Sequence, residues 1–165
     1  MVNFNPDALP EKKKENLITA LYIGAVFILL AIIYFVNLPN NLWTSIVNFF
    51  SSLTLATVPS TNFGLPAPLI PSAHLALYIA AFQFALGLGV LEIAVLSIRI
   101  MLHSSISRKA ETIENLVFWL GTSYLVITYL VNMTIMSEWF VFWAGIILIG
   151  GLSLIARAIV LIAKR

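Results

Sequence analysis

Four long apolar runs dominate the chain: Leu17 to Leu38, Ala73 to Leu102, Ile113 to Met136 and Trp139 to Ala163. A helix needs about 20 residues to cross a hydrocarbon core of about 30 Å, and each run supplies them. None alternates apolar with polar residues as a barrel strand does, so each is expected to satisfy its own backbone hydrogen bonds as a helix. The predicted fold is all-α: an integral membrane up-down four-helix bundle, forming a single polytopic membrane domain over residues 1–165. Its expected segments are a tail 1–16, spans 17–38, 73–102, 113–136 and 139–163, a long outer loop 39–72, a connection 103–112, an outer turn 137–138 and an end 164–165. Composition agrees, with 61% apolar and 10% charged residues against about 45–50% and 25% in soluble domains. With no cysteine in the chain, a disulfide-stapled secreted fold and a thiolate metal site are excluded.

Charge gives the expected orientation. Lys12, Lys13 and Lys14 precede the first run; Arg99, Arg108 and Lys109 surround the second connection; Arg157, Lys164 and Arg165 sit near the end of the fourth. Short loops on the cytoplasmic side retain Lys and Arg, and all nine fall on that side if the chain starts there. From Asn16 to Leu91, 76 residues carry no formal charge, and Glu138 is the charged residue left for the far side. The expected placement is therefore the cell membrane, multi-pass, with both termini cytoplasmic. The first run is read as an uncleaved anchor, because no small-residue cleavage pattern follows it. The net charge of +2 is scattered over several segments instead of forming a basic face, so the expected partner is the bilayer and no nucleic acid.

The connection from Pro39 to Ser72 is long enough to invite a function. Trp43, Ile46, Val47, Phe50 and Leu53 recur at helical spacing among Asn, Ser and Thr, which predicts an amphipathic helix over 42–55 lying in the outer interface. The stretch from Thr57 to Pro71 holds Pro59, Gly64, Pro66, Pro68 and Pro71 and is expected to be extended and irregular. Together they form either a lid over the bundle or a surface, carried by Trp43, Ile46, Val47 and Phe50, on which a partner docks.

The second run carries the polar residues that matter most: Gln83, Glu92 and Arg99. Ala81, Ala85, Gly89 and Glu92 share one helical face, and Gln83 shares another with Ala76, Ala80 and Gly87. Small-residue stripes admit neighbouring helices, so this helix is expected at the centre of the bundle or between subunits. Gln83 reads as an interhelical hydrogen bond, with contact to a transported species as the sharper alternative. Glu92 and Arg157 lie at nearly the same depth, 17 residues after Leu75 and 18 after Trp139. An isolated intramembrane charge is costly, so an interhelical Glu92–Arg157 pair is expected, with an Arg99 partner or a proton- or ion-binding Glu92 as rivals.

His74 and His103 are 29 residues apart at opposite ends of one run, about 43 Å, which excludes a shared metal or haem within one subunit. No cofactor, metal or catalytic residue is expected, because no closely spaced ligand set, nucleophile elbow or phosphate loop is present. Glu111 and Glu114 beside Arg108 and Lys109 read as a solvated helix start. Asn132 to Thr134 matches a glycosylation acceptor but lies close to the membrane. Tyr22 reads as an ordinary span residue. The expected function is that of a non-catalytic subunit or scaffold of a membrane complex. The alternative is a small oligomeric transporter or channel using Glu92 and Gln83. Homo-oligomer or membrane-protein partner is the corresponding choice of company.

Overall fold

The computed structural model describes residues 10–133 and 135–163. Lys164, Arg165, the tail before Pro10 and the Thr134 of the acceptor pattern lie outside the described residues. The elements are helices α1 (Glu11–Val36), α2 (Leu42–Ser51), α3 (Leu75–Met101), α4 (Ile106–Leu125) and α5 (Ser137–Ile162), with strands β1 (Leu53–Thr57) and β2 (Gly64–Pro68) between α2 and α3. A π-helical segment, Val126–Val131, extends α4. Four helical stretches, 11–36, 71–101, 106–131 and 137–162, are long and apolar enough to cross a membrane.

The helices end where their side chains say they should. Asn37 closes α1 by donating both its backbone N–H and its side-chain amide to the Ile33 carbonyl, at 3.0 and 2.9 Å. Asn41 then takes the left-handed conformation, φ 50°, which Asn tolerates better than most residues, and the chain turns into α2. At the other end of the bundle His103, φ 53°, turns α3 into α4.

The four long helices are packed as a row folded on α3 and α4. α3 packs on α4, α4 on α5, and α1 on α3. Gly87 and Gly89 explain how α3 accepts two neighbours. A Cβ at Gly87 would collide with Leu29 of α1, and one at Gly89 with Leu120 of α4. The two small-residue faces expected of the second run thus receive one helix each, and α3 is the central helix of the chain. Ala85, Gly89 and Glu92 are buried as that stripe requires, whereas Ala81 is exposed.

The 39–72 connection differs from its expectation in two ways. Its helix stops at Ser51, and residues 53–57 are a strand that pairs antiparallel with 64–68, Leu53 opposite Pro68 and Leu55 opposite Pro66. Prolines lack the N–H that a ladder needs, but a two-stranded sheet is all edge, where proline is tolerated. What the composition indicated as irregular is a hairpin. The buried stripe of α2 is Leu42, Ile46 and Phe49. Of the four residues expected to form its contact face, Ile46 packs inward, while Trp43, Val47 and Phe50 are exposed. Positions 42, 46, 49 and 43, 47, 50 repeat with the same spacing on adjacent strips of the helix, so periodicity alone does not choose between them.

A core of aromatic residues closes this hairpin end. Tyr78, Leu125, Val126, Leu130, Trp139, Phe142 and Ala67 are buried together, with Phe49 against them. Phe49 meets the rings of His74, Tyr78 and Trp139 at centroid distances of 5.3, 6.3 and 6.0 Å. Trp139 donates its indole N–H to the Pro66 carbonyl at 3.1 Å, tying the hairpin to α5. Two polar groups are absorbed in the same closure: Ser52 Oγ and His74 Nε2 are hydrogen-bonded at 2.9 Å. The α2–hairpin unit therefore lies on the chain's own helices as a lid.

Candidate functional site

At the opposite, basic end the three helices α1, α3 and α4 enclose polar groups. Each contributes a stripe at three- and four-residue steps. α1 presents Glu15, Ile18, Thr19 and Tyr22; α3 presents Glu92, Val95 and Arg99; α4 presents Arg108, Glu111, Thr112 and Asn115. Because α1 and α4 both lean on α3, a wedge is left between them. It holds a cavity of about 280 Å³ lined by Ile18, Thr19, Tyr22, Glu92, Val95, Arg99, Arg108, Glu111 and Asn115.

A buried ion pair ties the wedge together. Arg99 donates from Nη2 to Glu15 Oε2 at 3.0 Å, and from Nη1 to the Arg108 carbonyl at 2.8 Å and to the Thr112 hydroxyl. Both side chains are about nine-tenths buried. Thr112 in turn donates to the Arg108 carbonyl at 2.9 Å. One arginine thereby joins three helices. Two atoms of this pair, Arg99 Nε and Glu15 Oε1, are buried without a hydrogen-bond partner.

Glu92 is 3% exposed and sits nine residues before the end of α3, about 13.5 Å from that end. The Tyr22 hydroxyl and the Asn115 amide interact with its carboxyl; Arg99 attracts it through space and Glu111 repels it. Among the described residues it makes no ion pair. Arg108 and Glu111, at the cavity's mouth, are paired with each other at 3.0 Å and are about half exposed.

The residues singled out in the sequence fall in three places. Glu92 and Arg99 share the cavity. Arg157 does not join them: it binds Glu114 of α4 at 2.9 Å. α4 packs against both α3 and α5, and the arginine meets a carboxylate on that intervening helix. The expected Glu92–Arg157 pair is replaced by Arg157–Glu114, and the rival Glu92–Arg99 pair by Arg99–Glu15. Gln83 lies outside the cavity, accepting a 2.8 Å hydrogen bond from the Asn37 amide, which is the interhelical bond its sequence context predicted. Glu114 is also no solvated helix-start residue, its side chain being 19% exposed.

Sequence reasoning passed over Glu15, Thr19, Tyr22, Thr112 and Asn115. A signal was present. Residues 15, 19 and 22 put the polar groups of α1 on one strip, and 108, 111, 112 and 115 do the same on α4. Groups of three or more histidine or acidic residues able to hold a metal ion are absent among the described residues. No protein family, curated protein or solved structure matches the chain, so the chemistry of the site rests on its own geometry.

Proposed function

We propose that the protein is a multi-pass membrane protein whose basic end faces the cytoplasm, and that it is a small transporter binding a monovalent cation or a proton at Glu92. The observation that carries this reading is a buried carboxylate, without an ion-pair partner among the described residues, at the head of a polar cavity. Ionisable residues inside membrane spans are expensive, and those that persist mark ion or substrate sites by default. A lone carboxylate would argue weakly for such a path. Here the folded chain gathers Glu92, Glu111, Thr19, Tyr22 and Asn115 from three helices around one space. The cavity extends from Glu92 toward the exposed Arg108–Glu111 pair, while on the other side of Glu92 α3 buries Leu88 and Ala85. This supports an inward-open site closed toward the lid.

Reconstitution in liposomes tests it. Cation or proton flux driven by an imposed gradient is expected with the native chain and lost in Glu92→Gln, while the variant keeps its melting temperature. Sidedness is tested separately by cysteine labelling, since the chain has no native cysteine. Ser60→Cys in the hairpin turn is expected to react with an impermeant reagent added to intact cells, and reaction of Ser105→Cys instead would reverse the orientation.

One observation favours a second reading, a non-catalytic subunit or scaffold. Trp43, Phe50, Leu55 and Phe63 leave an apolar surface at the lid end, 66 to 80% exposed. Exposed aromatic surface is a common protein-docking feature. Co-purification of a stoichiometric partner lost on Trp43→Ser with Phe50→Ser, together with no flux, would favour it over the transporter.

A further inference from the structure

Resting on the reading of Glu92 as a cation site, we infer that the cavity takes a small primary alkylammonium ion. Three features of the lining select that class. The first is formal charge. Arg108 is paired with Glu111 and Arg99 with Glu15, which leaves Glu92 as the carboxylate whose charge no paired cation of the lining offsets. A monocation balances it, an anion is repelled by it, and a divalent ion lacks the set of three acidic or histidine ligands among the described residues.

The second feature is hydrogen-bond direction. An ammonium group offers three N–H donors and no acceptor. Glu92 accepts from the Tyr22 hydroxyl and the Asn115 amide. The acceptors left for a ligand among these residues, drawn from α3, α1 and α4, are the remaining lone pairs of the carboxylate, the Tyr22 oxygen and the Asn115 carbonyl. A quaternary ammonium would have no donor for any of them. The third is size and wall chemistry. The space of about 280 Å³ corresponds to the volume of about nine waters at about 30 Å³ each, far more than a bare alkali ion fills. Part of its wall is Ile18 and Val95, which give a hydrated ion nothing and give packing to a short hydrocarbon chain. A cation with a polar head and a few methylenes uses all of the lining.

The experiment uses the purified full chain in mild detergent, with n-butylammonium, sodium, potassium and tetramethylammonium chlorides at equal ionic strength. A ligand that binds only the folded state raises its melting temperature. Butylammonium is expected to raise it by several degrees in a saturable way, tetramethylammonium is not, and Glu92→Gln abolishes the shift. Asn115→Ala, which keeps the carboxylate, is expected to weaken butylammonium binding about tenfold, as loss of a hydrogen bond to a charged group does; it serves as the test if Glu92→Gln does not fold. Stabilisation by sodium or potassium without butylammonium overturns the amine assignment and leaves the cation site standing. Glu92-dependent proton flux with no response to any of the four salts also overturns it, and identifies the proton as the ligand. No binding and no flux overturns both this inference and the transporter reading.

Discussion

The two ends of the bundle are closed by different physics. At the lid end, Phe49, Tyr78, Trp139 and Phe142 pack with Leu125 and Leu130, and the polar groups present are few: Ser52 is bonded to His74, and the Tyr78 hydroxyl is buried without a hydrogen-bond partner. At the basic end the helices are tied by charge, Glu15 of α1 to Arg99 of α3 and Glu114 of α4 to Arg157 of α5, with Arg108 paired to Glu111 along α4 itself. Apolar closure is non-directional and is not screened by salt, whereas ion pairs depend on geometry, exposure and ionic strength. A bundle built this way is firm at the lid and adjustable at the end where its cavity lies.

Breaking the buried pair should have the largest effect. Arg99→Met leaves Glu15 buried and uncompensated and removes the bonds to Thr112 and the Arg108 carbonyl, for an expected loss of about 3–5 kcal/mol. Thermal unfolding in detergent measures it, and Glu15→Leu added to Arg99→Met should restore part of the loss. A double variant as unstable as the sum of its parts would mean the pair is not what joins α1 to α3.

Trp139→Phe probes the other end. It removes the bond to the Pro66 carbonyl and some packing volume, costing about 1–3 kcal/mol. The damage should be local, read as faster proteolysis between Thr57 and Gly64 with little change at the basic end. Equal loosening of both ends would erase the contrast between them.

Smaller effects are expected from the exposed and neutral contacts. The Arg157 side chain is 41% exposed, so Arg157→Gln should cost at most about 1 kcal/mol, falling with added salt. In a double-mutant cycle its coupling should be to Glu114, with none to Glu92. Gln83→Leu, which removes the bond from Asn37, should cost about 0.6 kcal/mol, the average for such bonds between spans. A loss several times larger would give the Gln83–Asn37 contact a role that its geometry does not indicate.

What the sequence disclosed and what it withheld divide along a physical line. The four long helices are properties of continuous apolar runs, and such runs are local. The packing faces of α3 were legible for the same reason, because Ala85, Gly87 and Gly89 are small whatever lies opposite. Partner choice is not local. Counting residues puts Glu92 and Arg157 at similar expected depths, but only the order of helices in space, with α4 between α3 and α5, decides that Arg157 meets Glu114. The hairpin was hidden because Pro66 and Pro68 read as breakers, and the pairing that tolerates them depends on a strand, 53–57, that looked like the last turn of α2. Within the cavity, Glu92 announced itself by its charge. Tyr22 and Asn115 did not, since neither carries a charge and each gains meaning from the carboxylate on another helix.

The Glu15–Arg99 contact joins residues 84 apart in the chain, which sets an order of events during synthesis. Chains emerge N-terminus first, so α1 is complete, and Glu15 has been made, long before its partner exists. Glu15 lies four residues from the start of α1, where a carboxylate can wait in contact with water while the apolar remainder of the helix is already committed to the bilayer of the proposed placement. Arg99 arrives with α3, and its other two contacts, the Arg108 carbonyl and Thr112, follow within the next turns of α4. The clasp of three helices is thus completed only after residue 112 is made, and until Arg99 is made the first helix has no charged tie to α3 through it.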